Sequence, residues 1–187
     1  MTWSLGYLPP REPELLDALH LSLGRSLYVA NAFETKCRYV LRIINLVAAA
    51  QADPVADLAQ AIATLPTDKL LGPTLHDLNG RMSSTAETAG LLTAAKEARN
   101  FIAHEGAAAG YVSDLSRDRI LTHASRLRTA VADLAHGDNI VSTWCHGIEE
   151  PREPAPQDLI DTYPKMIDAW VFGPFGSLLG SAPAPSR

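Results

Sequence analysis

Between Pro13 and Gln51 apolar residues recur every three or four positions, at Leu16, Leu19, Leu23, Leu27, Ala30, Phe33, Cys37, Val40, Ile44 and Val47. That period is the turn of a helix and not the two-residue alternation of a strand, so the stretch predicts one long amphipathic helix, or two abutting ones. Such a stripe needs partners to bury it. The chain has 187 residues, 47 % of them hydrophobic, which is enough to enclose one core. Only 6 % are aromatic, and alanine and leucine are abundant. That bias favours helix over sheet, so the expected class is all-α.

The rest of the chain reads as further helices separated by breakers. The first helix should stop near Asp53–Pro54, because proline disfavours helical geometry in the residue before it. Residues 54–64 suggest a short helix ending at Leu65–Pro66, and Lys69 to Asn79 another, with Asn79–Gly80 as its stop. Ser84 and Glu87 form a capping box for a helix carrying Leu91, Ala95, Ala98 and Ile102 on one stripe, its end bracketed by Gly106 and Gly110. From about Asp114 a further helix sets Ile120, Ala124, Leu127, Val131 and Leu134 on one face, and His136–Gly137 should close it. Beyond lie an apolar patch around Trp144, a linker from Glu149 to Pro156 and a helix from about Gln157 to Trp170. A Gly/Pro/Ser-rich end follows, whose last ten or so residues are expected to be disordered. The predicted architecture is an antiparallel helical bundle of four to six helices in residues 1–140. Residues 141–187 are expected to form a C-terminal extension packed on the bundle or on a partner, within a single domain overall.

Several function classes drop out. The formal net charge is −5, from 16 basic and 21 acidic side chains, which excludes coating of nucleic acid or anionic membrane by bulk charge. A local basic site is still allowed. Cys37 and Cys145 are too few and too far apart for a disulfide framework or a zinc site, so an intracellular, cytoplasmic chain is expected. No run of about 18 apolar residues occurs, and no basic stretch followed by an apolar one opens the chain, so neither a membrane span nor a secretion signal is expected. There is no glycine-rich phosphate loop, and His104–Glu105 lacks the second histidine of a zincin helix. The six histidines have spacings that place no two on one helical face beside a carboxylate pair; no metal and no cofactor are expected. Cys145–His146, next to Trp144, reads as a buried cysteine in an apolar patch rather than a nucleophile.

The segment Lys96–Glu97–Ala98–Arg99–Asn100–Phe101–Ile102–Ala103–His104–Glu105 carries the densest polar set beside a strict apolar stripe. At about 100° per residue, Glu97, Asn100 and His104 lie opposite the apolar positions, with Asn100 and His104 stacked one turn apart. Arg99 sits at the flank, able to reach round with its long stem. A cation, an amide and an imidazole thus converge outside the core.

The string RNFIAHE resembles the signature of the HEPN superfamily, helical proteins in which an arginine, a polar neighbour and a histidine four to six positions later form the functional site. Here these are Arg99, Asn100 and His104. The resemblance covers roughly residues 13 to 136 and implies a bundle of about four helices with the motif late in it. It further implies metal-independent endoribonuclease chemistry, leaving a 2',3'-cyclic phosphate and a 5'-hydroxyl, at a cleft shared by a homodimer. A toxin or phage-defence role and a nucleotidyltransferase-type antitoxin as partner are implied in the same way. The residue types suit that chemistry. Histidine titrates near neutrality and can move the 2'-hydroxyl proton, while arginine offers a forked, fixed positive charge to the phosphorane-like transition state. Asn100 would orient His104 or donate to a phosphate oxygen.

A convex helix face offers no cleft of its own, which also points to a second subunit. Arg38, Arg42, Arg117 and Arg119 are the candidate RNA-binding residues, with Lys36, Arg126 and Arg128 as further basic positions. Arg117–Asp118 with His123 satisfies a loose form of the same motif, without the apolar and small run before the histidine. Glu105 departs from the small residue that often follows the family histidine, and an acid there would repel RNA phosphate or hold His104 protonated. Two alternatives therefore stand beside the nuclease. One is a non-catalytic HEPN module that binds nucleotide or RNA. The other is a helical interaction protein of a toxin–antitoxin pair that docks through the region of Trp144 and Trp170.

Overall fold

The computed structural model describes residues 10–52, 58–64, 70–106 and 116–180, and among these there is no strand. The helices are α1 (Pro13–Ala52), α2 (Leu58–Thr64), α3 (Leu71–Arg81), α4 (Ala86–Asn100), α5 (Arg117–Glu149) and α6 (Gln157–Gly180). Phe101–Glu105 continues α4 as one turn of π-helix. The all-α class and the bundle are as the periodicity predicts.

Side-chain pairings give the helix directions. Glu12 meets Arg117, and Lys36 meets both Asp138 and Ser142, so α1 and α5 run parallel. Glu34 meets Arg99, while Phe101 meets Arg126, so α4 is antiparallel to both. Ser22 reaches Val171 and Arg128 reaches Asp168, so α6 is antiparallel to both as well. Chain neighbours in the bundle therefore alternate in direction, and α1 and α5 pack against each other with α4 and α6 on either side. The core they share includes Phe33, Cys37, Val40, Leu92, Ala95, Leu127, Val131, Leu134 and Val141, with Val171, Phe172 and Phe175 of α6 in the same cluster. None of the described helices is long and apolar enough to cross a membrane.

The long first helix matches its prediction in extent, but Val47 is half exposed. The end of α5, Glu149, lies beside Tyr39, so the last turns of α1 run past the helix that would have covered Val47. On α4 the buried stripe is Leu92, Ala95, Ala98 and Ile102, and Leu91 is exposed. Its cap is Thr85, whose hydroxyl accepts from the Thr88 amide at 3.1 Å, one residue after the predicted Ser84. Gly80 does not stop α3. The left-handed residue is Ser83, at φ 49°, and the Ser84 amide closes on the Asn79 carbonyl at 3.1 Å in a Schellman arrangement. The short helix expected from residue 54 is described from Leu58, and residues 53–57 lie outside the described set. So do Gly110 and Asp114. The helix expected from Asp114 is described from Arg117, with the Ser116 hydroxyl as its cap.

The largest correction concerns Gly137. α5 does not close there but continues to Glu149, carrying the stripe on through Asp138, Val141 and Cys145. An added Cβ on Gly137 would sit 2.3 Å from the Ala95 Cβ, so this glycine marks where α4 and α5 come into closest approach. A boundary between residues 140 and 141 thus falls inside a helix. α6 likewise outruns its predicted end at Trp170 and reaches Gly180, with Pro164 and Pro174 inside it. Residues 178–180, expected to be disordered, belong to this helix; residues 181–187 lie outside the described set.

Proline cannot donate to the carbonyl four residues earlier, which orphans Ile160 O and Trp170 O. Both find donors in the neighbouring helices. Asn139 Nδ2 donates to Ile160 O at 2.8 Å, and Arg25 Nη1 donates to Trp170 O at 2.5 Å. The breaks in α6 become its anchor points on α5 and α1.

Candidate functional site

The RNFIAHE segment spans the junction where α4 changes pitch. The Phe101 amide is shared between the carbonyls of Glu97 and Ala98, and the Gly106 amide closes the π-turn on Phe101 O at 2.8 Å. Ile102 is buried, so the widened turn keeps one apolar anchor while Ala103, His104 and Glu105 are exposed. The wheel at 100° per residue therefore ends at Asn100, and His104 no longer stacks directly over it.

Two contacts fix the lower end of this turn. Gly106 is buried so closely that an added Cβ would lie 2.5 Å from Leu23 Cδ1 and 2.6 Å from Ile102 O. The buried His123 of α5 donates from Nε2 to Gly106 O at 2.6 Å, and its ring lies 6.2 Å from that of Phe101. His123, the histidine of the alternative motif, is thus a core residue that pins the end of α4. Its arginine, Arg117, is exposed and stands 3.6 Å from Glu12.

Arg99 turns toward α1. Its Nη2 pairs with Glu34 Oε2 at 2.6 Å, and its Nη1 donates to Asn100 Oδ1 at 3.2 Å. Glu34 is mostly buried and holds Arg38 on its other oxygen at 2.5 Å. Two guanidiniums on one carboxylate leave this cluster with a net positive charge, facing the side of α4 that carries Asn100. Arg42 is exposed one turn further along α1, and Arg117 and Arg119 are exposed at the start of α5. Arg38 and Arg99 are brought together on Glu34, whereas Arg117 and Arg119 belong to the end of the bundle where α4 stops.

The other basic positions have structural partners. Lys36 is held by Asp138 and Ser142, Arg128 makes a two-pronged bridge to Asp168, and Arg126 lies 5.0 Å over the Phe101 ring. Arg126 also draws the exposed Glu105 carboxylate to 3.7 Å. Between α4 and α5, Glu97, Phe101, Arg126 and Asp133 line an open groove of about 410 Å³. The motif helix therefore has a concavity along one edge, which the wheel did not foresee.

Cys145 and Cys37 are buried, and burial is the main cause that raises both thiols above their ordinary value. A nucleophilic cysteine needs the opposite shift. Among the described residues no three His, Cys, Asp or Glu side chains converge on a point that would hold a metal ion.

The sequence did not reveal Glu34 as the holder of Arg99, the π-turn, or the buried cluster of Lys36, Asp138, Ser142 and Tyr163. For the cluster a signal existed. Continuing the α5 stripe by fours and threes from Leu134 lands on Asp138, an acid in an apolar register. Comparison of the chain with protein-family models, with curated proteins and with solved structures found no match.

Proposed function

We propose that this chain is a HEPN-type endoribonuclease that needs no metal ion and cleaves RNA by attack of the 2'-hydroxyl, leaving a 2',3'-cyclic phosphate and a 5'-hydroxyl. The observation that carries the reading is the coincidence of the RNFIAHE motif with the π-turn. π-turns are rare and concentrate at functional sites, and this one exposes His104 five positions after an arginine held by a largely buried carboxylate. In this reading His104 moves the proton of the 2'-hydroxyl or of the leaving 5'-oxygen, a role that contributes about 10²- to 10⁴-fold. Arg99, preset by Glu34, meets the charge that develops on the phosphorane oxygens, and Asn100 offers its amide to a phosphate oxygen. Arg38 and Arg42 extend the positive edge along α1, and Arg117 and Arg119 guide RNA at the other end of the motif.

The exposed motif is completed by a second copy, so the working species is a homodimer in the cytoplasm. Its setting is toxin or phage-defence activity restrained by an antitoxin of the nucleotidyltransferase kind. A second reading, a module that holds nucleotide or RNA without cutting it, is favoured by the acid at Glu105, next in sequence to His104 and exposed with it.

One experiment separates the two. Total RNA and end-labelled tRNA are incubated in EDTA with the protein and with Arg99→Ala and His104→Ala, and both cleavage and end chemistry are read. The nuclease yields cyclic phosphates that disappear in both variants. RNA that is retained on a filter but stays intact assigns the chain to the binding module instead.

A further inference from the structure

A half-enclosed pocket of about 230 Å³ opens among α1, α5 and the start of α6, on the side of the bundle away from the motif helix. Pro156 and Leu159 give it an apolar wall, and Lys36, Ser142, Thr143 and Tyr163 line it together with the ring of His146. Beneath lies Asp138, fully buried, holding Lys36 at 2.7 Å and accepting a hydrogen bond from the Tyr163 hydroxyl. A buried carboxylate tied to a half-buried lysine, a tyrosine and a serine is a costly way to fill this position, since apolar side chains of similar volume stabilise as well or better. Its placement under a pocket suggests a use.

The donors and acceptors left over define what fits. The Lys36 ammonium donates to Asp138 Oδ2 and to Ser142 Oγ, each at 2.8 Å, while Asp138 Oδ1, 2.7 Å from it, and the buried His146 Nε2 have no hydrogen-bond partner. Ser142 Oγ donates to Asp138 O, Thr143 Oγ1 to Asn139 O, and Tyr163 to the Asp138 carboxylate. Every hydroxyl proton is therefore engaged, while lone pairs on the Ser142, Thr143 and Tyr163 oxygens are still available; His146 can serve either way. Lys36 and Asp138 cancel in charge, so an ionised ligand entering the pocket would lose its hydration without gaining a counter-charge. The apolar wall and the volume suit one flat ring system.

We infer that this pocket binds an uncharged heteroaromatic ring that carries N–H donors, the chemistry of a free nucleobase. It is independent of the RNA cleavage proposed above, because the motif helix contributes nothing to it. Ligand-observed NMR on the full chain tests it with four probes: adenine and cytosine as rings with N–H donors, 1,3-dimethyluracil as a similar ring without them, and benzoate as a charged ring. Adenine or cytosine should bind saturably, with the other two at least about tenfold weaker, the discrimination that an unmet buried hydrogen bond produces. Thr143→Phe fills the pocket from α5 and Leu159→Trp fills it from the half-exposed wall of α6; each should abolish binding with the helical circular dichroism unchanged. The assignment is overturned if neither base saturates the wild-type protein, if dimethyluracil or benzoate binds as well, or if the folded variants bind the bases undiminished.

Discussion

Single side chains separate the two histidines that share a loose arginine-to-histidine spacing. His123 is buried and donates to Gly106 O, so replacing it leaves a buried carbonyl without a donor and a gap beside Phe101. His104 is exposed on the π-turn. His123→Leu should therefore lower stability by about 1 to 3 kcal/mol in urea denaturation, the range for an orphaned buried polar group, while His104→Ala should change it by no more than about 0.5 kcal/mol. Equal losses in the two variants would contradict this division between a core histidine and a surface one. The sequence marked Arg99, Asn100 and His104 by residue type and spacing, but nothing in it identified Glu34 as the partner of Arg99. Glu34 is 65 positions from Arg99 in sequence, and only the antiparallel packing of α1 and α4 brings its carboxylate within 2.6 Å of the guanidinium.

At the level of elements, glycine and proline in this chain act against their ordinary reading. Gly137 looks like a helix stop and is instead the contact point of two helices; Pro164 and Pro174 look like breakers and are spanned by a helix whose freed carbonyls bond to Asn139 and Arg25. Helix propensity alone says that glycine to alanine within a helix stabilises by about 1 kcal/mol. At Gly90 and Gly147, where an added methyl would meet nothing within 4 Å, that gain should be seen. Gly137→Ala should have the opposite sign and destabilise by about 1 to 3 kcal/mol, because α4 must move away from α5 to admit the methyl. Chemical denaturation of the three variants checks it, and a stabilising Gly137→Ala would mean that α4 and α5 are not packed so closely.

For the molecule as a whole, α6 belongs to the same core as the bundle, with Val171 fully buried and Phe172 and Phe175 nearly so. The folded chain also holds two groups that resist ionisation, Cys37 in the core and the half-buried Tyr163. Burial raises the Cys37 thiol, and burial together with the hydrogen bond to Asp138 raises the Tyr163 hydroxyl, from ordinary values of 9.0 and 10.0. The unfolded chain releases these protons at the ordinary values while the folded chain keeps them, so the unfolded state binds fewer protons once the pH passes about 9. Stability should be flat in this respect below that pH and fall steadily above it. The urea midpoint should drop between about pH 9 and pH 11, with tyrosinate absorbance rising in step with unfolding. A smaller drop in Tyr163→Phe identifies its share, and an unchanged midpoint across that range would refute the coupling. By itself the sequence determined the helical class and the long first helix, because both are written in local periodicity and residue type, and these need only a few neighbouring turns to act. The tertiary structure alone decided where helices end, which histidine is core, and that Asp138 lies buried under Lys36 and Tyr163. Those outcomes depend on close approach between elements far apart in the chain, where a methyl group's width or one missing amide proton sets the result.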